Sequence, residues 1–245
     1  MHDSYFLPLI KTFKNLVHFF GVEVVRHNFY HSGDKLLESV LRYYGVNTIL
    51  DVGANIGQYA KEAIRHGYKG EIHSFEPIPE VFEQLASKAR RHPKWKVYPL
   101  GIGSKEEDIL MNISENLVSS SVLKVGEASL SAESSTRIVR QQKIKVTTLD
   151  LFIHDRDLKG EILLKLDIQG YEMEALRGAL KSLPSIKLIQ AELSFTQLYE
   201  GGPLFDEVIG FLKEHAYEVF AIVPGFRDDR SGRMLQADGI FVKKG

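Results

Sequence analysis

From residue 33 onward the apolar positions of the chain switch between two periods. In "GDKLLESVLRYYG", Leu36, Leu37, Val40 and Leu41 recur at helical spacing, which predicts a helix that Gly45 ends. "NTILDV", "GEIHSFEP", "WKVYPLGIG", "EILLKLD" and "IKLIQAEL" are short apolar runs that predict strands. Between and after them, "IGQYAKEAIRHGY", "PEVFEQLASKARRH", "YEMEALRGALKSL" and "PLFDEVIGFLKEHA" read as helices. "YEVFAIV" and "ADGIFVKK" close the pattern as a hairpin-like pair. Strands alternating with helices define an α/β fold, a largely parallel sheet with helices on both faces. Strands buried on both faces should be apolar runs, and "ILLKL" mostly is.

The pattern divides the chain into an N-terminal helical arm, residues 1–44, and one domain, residues 45–245. In the arm, Phe6, Ile10, Phe13, Val17 and Phe20 could line one helical face. That face fits packing on the body, a homodimer contact or peripheral membrane contact. Lys11, Lys14 and His18 interrupt the apolar stretch, leaving no membrane-spanning run and no signal-peptide core. Residues 104–147 break the rhythm of the domain. Strand-like pieces ("DILMNIS", "SSSVLKV", "KIKVTTLDLF") surround "GEASLSAESSTR", whose composition favours a mobile loop. An insertion between the third and fourth core strands is placed to cover their carboxyl ends, as a substrate lid or a structural flap.

Composition narrows the function. The formal net charge of −1 supplies no global basic field for nucleic acid. The absence of cysteine removes disulfides, thiolate nucleophiles and cysteine-ligated zinc. His27 and His31 stand four apart without the acidic companion of an H-E-x-x-H metal motif. These features read as a soluble, cytoplasmic protein.

In an open parallel sheet, ligands bind outside the strand carboxyl ends where the strand order reverses. The segment "ILDVGANIGQYA" places Asp51, Gly53, Asn55 and Gly57 at such a turn. Glycine, and to a lesser degree asparagine, accepts the positive φ that a tight turn requires. A dinucleotide site expects G-x-G-x-x-G, but position 58 is Gln; no G-K-[ST] follows for a P-loop. Glu76 in "HSFEP", followed by Pro77, ends the second strand, where its carboxylate can accept both hydroxyls of a ribose. That feature fits NAD and other adenosine cofactors alike. Asp51 would repel a pyrophosphate and attract a cation, which favours S-adenosylmethionine, with its ammonium and sulfonium groups. An NAD(P)-dependent oxidoreductase or epimerase is the enzymatic alternative, lacking an obvious Tyr-x-x-x-Lys pair. A non-catalytic cofactor-binding partner subunit is the other.

"ILDVGANIGQYA", "SFEPIPEVFEQL", "LLKLDIQGYEMEALRGA" and "LIQAELSF", in this order, resemble the FkbM family of S-adenosylmethionine-dependent methyltransferases. The resemblance covers roughly residues 45–243, and "KLDIQGYEMEALRG" is its most specific piece. It implies a seven-stranded class I methyltransferase fold of Rossmann-like type. It also implies O-methylation of a sugar, oligosaccharide, glycolipid or polyketide-like product. Asn55 stands where many methyltransferases outside the family have glycine. Gly101 and Ile102 would lie beside an adenine.

Methyl transfer to a sugar hydroxyl needs the acceptor oxygen held in line and a base for its proton. Asp167 and Glu192 end the fourth and fifth core strands and are the candidate catalytic pair. Asp167 could otherwise cap the turn that follows it, and Glu192 could be solvated or paired with a lysine. Together they could hold a divalent cation through oxygen ligands, although no metal site is predicted. Ser120, Glu172 and Tyr199 are candidates for contact with the acceptor. Glu174 fits a helix-dipole role.

Overall fold

The computed structural model describes residues 33–245 and the single helical position Val17. The arm's apolar face at Phe6, Ile10, Phe13 and Phe20, the contacts expected of it, and His27 and His31 lie outside the described residues.

In chain order the described strands are β1 (Thr48–Val52), β2 (Glu71–Phe75), β3 (Trp95–Tyr98), β4 (Gly101–Ile102) and β5 (Glu107–Ser114), then β6 (Ile138–Thr147), β7 (Ile162–Leu166), β8 (Ile186–Ser194), β9 (Tyr217–Pro224) and β10 (Gln236–Lys243). The helices are α1 (Gly33–Tyr43), α2 (Gln58–Arg65), α3 (Pro79–Ala89), α4 (Glu127–Ala132), α5 (Leu149–Asp155), α6 (Glu172–Arg177) and α7 (Phe205–Glu214).

The main sheet has seven strands in the order β3-β2-β1-β7-β8-β10-β9. All neighbours are parallel except β10, which runs antiparallel to both β8 and β9. This is the seven-stranded class I arrangement that the resemblance implies. Chain order reverses direction between β1 and β7, so the cleft above those two strands is where a ligand belongs.

Two apolar layers sandwich the sheet. On one face Leu50, Val52, Leu164 and Leu166 pack with Phe152 of α5, Leu176 of α6 and Leu212 of α7. On the other, Ile49, Ile72, Leu163 and Leu188 pack with Leu37 and Val40 of α1, Ala60 and Ala63 of α2, and Leu85 of α3. Helix α1 is thereby joined to the body, although it falls within the expected arm. Among the described residues no helix is long and apolar enough to cross a membrane.

The insertion is more ordered than its composition predicts. β5 and β6 pair as an antiparallel ribbon, and β4 adds to β6 in parallel. "GEASLSAESSTR" contains α4 and a short 3-10 turn rather than a mobile loop. Val125 packs there with Leu198, Tyr199 and Leu235, so long-range apolar contacts override a polar local composition. "SSSVLKV" forms no strand and bridges only at Ser121 and Val125. In "KIKVTTLDLF" the strand stops at Thr147. Thr148 then caps α5 by accepting the Leu151 N–H at 3.1 Å, a signal readable in the sequence.

Candidate active site

The turn after β1 brings two chain segments unusually close. Gly53 has φ +76°, and a Cβ there would lie 1.8 Å from the carbonyl oxygen of Asp167. Only glycine lets the end of β7 approach so near. Asn55 follows with φ +47°, its side-chain oxygen accepting the Ile56 N–H at 2.7 Å. Gly57, with φ +84°, answers a different constraint from the one its motif position predicts. A Cβ there would meet the Trp95 ring at 2.6 Å, and Gly57 does not line the ligand cavity. Its small size makes room for the indole.

Glu76 is 5% exposed, and both its oxygens face donors. Oε2 accepts the Asn55 N–H at 3.0 Å and Oε1 accepts the Ile78 N–H at 2.9 Å. Burial raises its pKa to about 7 against these two bonds. Each oxygen keeps lone-pair capacity for a further donor. Glu76 borders a cleft with about 680 Å³ of empty space, open solvent included. Gly53, Asn55, Pro77, Gly101, Ile102, Ser120, Asp167 and Gln169 also line it. Leu100, Met111, Ile144 and Val146 make much of the remaining wall apolar, so the insertion forms one side of the cleft.

Strand register builds a polar row beneath this cavity. Ser74, Asp51, Lys165 and Gln190 are successive partners across β2, β1, β7 and β8. The Trp95 indole donates to Ser74 Oγ, which donates to Asp51 Oδ2, each at 2.9 Å. Lys165 Nζ lies 3.4 Å from Asp51 Oδ1, 3.3 Å from Asp167 Oδ2 and 3.2 Å from the Gly53 carbonyl. Burial works to lower the Lys165 pKa, but Asp167 and Asp51 outweigh it and hold the ammonium above its ordinary range. Asp51 is fully buried and lines no described cavity. Its Oδ1 has no hydrogen-bond partner among the described residues and faces the Lys165 ammonium at 3.4 Å.

Asp167 reaches the surface of the site, with its side chain 39% exposed. Its Oδ1 accepts the Gln169 amide at 2.7 Å, and the same amide donates to Glu192 Oε2 at 3.3 Å. Gln169 holds φ +56°. Its side-chain oxygen accepts the Tyr199 hydroxyl at 2.5 Å, and its carbonyl accepts Ser121 Oγ at 2.6 Å. Gln169 and Lys165 were not among the residues singled out from sequence. Gln169 lay inside the quoted "DIQG" motif; Lys165 interrupts "ILLKL", a signal that was available.

Three other candidates line neither this cavity nor the second cleft described below. Glu192 lies outside both cavity walls and meets Asp167 through Gln169. Burial, then Asp167, Glu172 and Asp238, push its pKa well above the carboxylate range. Glu172 is 2% exposed and accepts the N–H groups of Ile168 and Gly170 at 2.9 and 3.3 Å. It closes the 167–171 loop instead of facing an acceptor. Tyr199 is buried beneath Gln169, so its ring offers no stacking surface. Ser120 does line the cavity, where Oγ accepts the Ser114 N–H at 3.1 Å. Among the described residues no group of three His, Cys, Asp or Glu side chains could hold a metal ion.

A second cleft, of about 1220 Å³, opens on the other side of Asp167. Gln58, Tyr59 and Glu62 of α2, Lys165, Gln190 of β8 and Asp238 of β10 supply its polar wall. Gly53, Asn55, Val118 and Asp167 border both cavities. A ligand in either one therefore meets the other at Asp167.

The class I sheet carries a glycine turn after β1, an acidic residue after β2 and a carboxylate at the end of β7, all bordering one cavity. The family model described as "Methyltransferase FkbM domain" matches residues 51–219, well over half of the sequence, and the chain belongs to that family. A hexuronic acid methyltransferase, AglP, of Haloferax volcanii is 28% identical over 149 residues, 60% of this chain and 56% of that protein. The 2-O-methyltransferase NoeI of Sinorhizobium fredii is 23% identical over 159 residues, 62% of this chain and 65% of that protein. The chain thus spans less than two thirds of the length of both curated relatives. A crystallographic rRNA methylase from Streptococcus thermophilus shares 8% identity at a TM-score of 0.48, covering 91% of this chain and all of that one. Membership of the family implies use of S-adenosylmethionine.

Proposed function

We propose that this protein transfers the methyl group of S-adenosylmethionine to a hydroxyl of a sugar, glycolipid, oligosaccharide or related natural product. The observation that carries the reading is the position of Asp167, the one carboxylate on the wall shared by two adjoining clefts. The residues fit the cofactor: Glu76 is a buried carboxylate with lone pairs left for two vicinal hydroxyls, beside an apolar slot at Gly101 and Ile102. The names of both curated relatives, one acting on a hexuronic acid and one a 2-O-methyltransferase, support a sugar acceptor.

When bound, the cofactor supplies a methyl group on positively charged sulfur. Glu76 would accept the ribose hydroxyls, and the turn at Gly53 and Asn55 would hold the cofactor near the end of β1. Asp167 would accept a hydrogen bond from the acceptor hydroxyl and would take its proton when that oxygen receives the methyl group. Gln169 and Lys165 each hold one Asp167 oxygen, so the carboxylate is aimed before the acceptor arrives.

Calorimetric titration with S-adenosylhomocysteine beside NAD⁺ and NADP⁺ tests the cofactor. Binding of the homocysteine product alone, lost in Glu76→Ala, is the expected result; binding of a dinucleotide would return the site to oxidoreductase chemistry. Methyl transfer to a panel of glycosides then tests the activity, with Asp167→Asn retaining product binding while losing most turnover. Unchanged turnover in that variant removes Asp167 as the base, and tight product binding without transfer to any acceptor favours a non-catalytic subunit.

A further inference from the structure

The second cleft carries information about the acceptor beyond its being hydroxylated. Lys165 is the one cation on its wall among the described residues. Its ammonium donates to the Gly53 carbonyl at 3.2 Å and lies within 3.4 Å of the Asp51 and Asp167 carboxylates, so its charge is already countered from within the protein. The two carboxylates also outnumber the single charge of Lys165, so this group presents net negative charge to the cleft.

The opposite wall points the same way. The Tyr59 hydroxyl donates to Gln190 Oε1 at 3.0 Å, and the side chain of Gln190 in turn bonds Asp238. Donation therefore runs inward from Tyr59 through Gln190 and ends on a carboxylate that faces the cleft. Asp238 makes none of the ion pairs found among the described residues, and it has acceptor capacity left. At the rim, Glu62 is engaged by Arg65 and His66, neither of which lines the cleft. A wall of acceptors binds donors: hydroxyls or an ammonium group. A carboxylate or phosphate entering here meets like charge and, among the described residues, no cation on the wall besides the paired Lys165, a combination that costs binding rather than contributing to it.

We infer that the acceptor cleft selects an uncharged or amino-bearing polyhydroxyl ring, with Asp238 as a specificity-determining residue, and that it rejects uronate and phosphorylated rings. This inference rests on the proposed sugar O-methylation and specifies its substrate. It separates this chain from its hexuronate-modifying relative on the basis of residues in this cleft alone.

The test uses the full-length protein with S-adenosylmethionine and methyl glycosides in matched sets: hexose, 2-amino-2-deoxyhexose, hexuronate and hexose 6-phosphate. Methyl incorporation into the neutral or amino member should exceed that into the matched acidic members by at least ~10-fold in kcat/KM. Asp238→Asn should narrow that ratio by ~10-fold while leaving S-adenosylhomocysteine binding unchanged, which shows that the variant is folded. Methylation of the uronate as fast as the neutral ring overturns the specificity assignment and leaves the methyltransferase reading intact. An unaltered ratio in Asp238→Asn removes Asp238 from selection. If S-adenosylhomocysteine binds but none of the glycosides is methylated, the sugar reading itself fails and this inference falls with it.

Discussion

The ammonium of Lys165 lies 3.3 Å from the Asp167 carboxylate at the edge of the cleft, while its other contacts bury it against β1. The candidate base thus shares its counter-ion with Asp51, a residue with no access to solvent. Removing the shared cation strands both carboxylates.

Lys165→Met should accordingly destabilise the fold by roughly 3–5 kcal/mol, the usual cost of leaving a buried charge without its partner. Urea denaturation at pH 7 measures it. A midpoint equal to that of the wild type would mean that water reaches Asp51 once the lysine is gone.

If the proposed site holds the cofactor, Glu76 should set the pH dependence of its binding. Its folded pKa is raised by burial to about 7, whereas the unfolded carboxyl titrates near 4.5. Between these values the folded protein holds a proton that the unfolded chain releases, so stability falls as pH rises through this window. Ribose hydroxyls donate to the ionised form. Affinity for S-adenosylhomocysteine should therefore strengthen as pH rises from 5 to 7, by up to roughly tenfold per unit, and level off above. Glu76→Gln should bind weakly and without that inflection. Glu172, raised to about 7 by burial in its own loop, keeps its share of the stability slope in that variant.

Gly53→Ala places a methyl group 1.8 Å from the Asp167 carbonyl at a residue with φ +76°. Backbone must move apart to admit it. A loss of at least ~2 kcal/mol in stability is expected, together with loss of S-adenosylhomocysteine binding. Wild-type binding by calorimetry would show that the turn and the end of β7 can separate without consequence.

Gln169→Glu replaces the amide that donates to Asp167 and Glu192 with a third acid. The Asp167 oxygen it holds is then free to turn away from the acceptor. Turnover should drop by up to ~100-fold, the cost of misplacing a reacting group by about 1 Å, with little change in cofactor affinity. Equal losses in cofactor affinity and turnover would instead indicate collapse of the 167–171 loop.

Much of the fold was legible because strands and helices announce themselves by local period. The β1 to α3 stretch, the β7 and β8 runs and the closing β9–β10 pair all follow apolar spacing within ten residues or so. The insertion was less legible. α4 is held by Val125, Leu198 and Leu235, which lie far apart in the chain, so its Ser-rich composition misleads.

By itself the sequence picked out Gly53, Asn55 and Glu76, which the fold brings to one cavity. Gly53, Asn55 and Glu76 are required by backbone angles and by a carboxylate at a strand end, both local properties. Tertiary structure alone decided where charge goes. Asp51 and Lys165 look like isolated polar residues in two apolar runs 114 positions apart, and only the parallel register of β1 on β7 makes them neighbours. The same register sets Lys165 between Asp51 and Asp167. The antiparallel return of β10 then sets Asp238 across the cleft. Pairing between strands is specified by distant apolar layers, so no local pattern could reveal it.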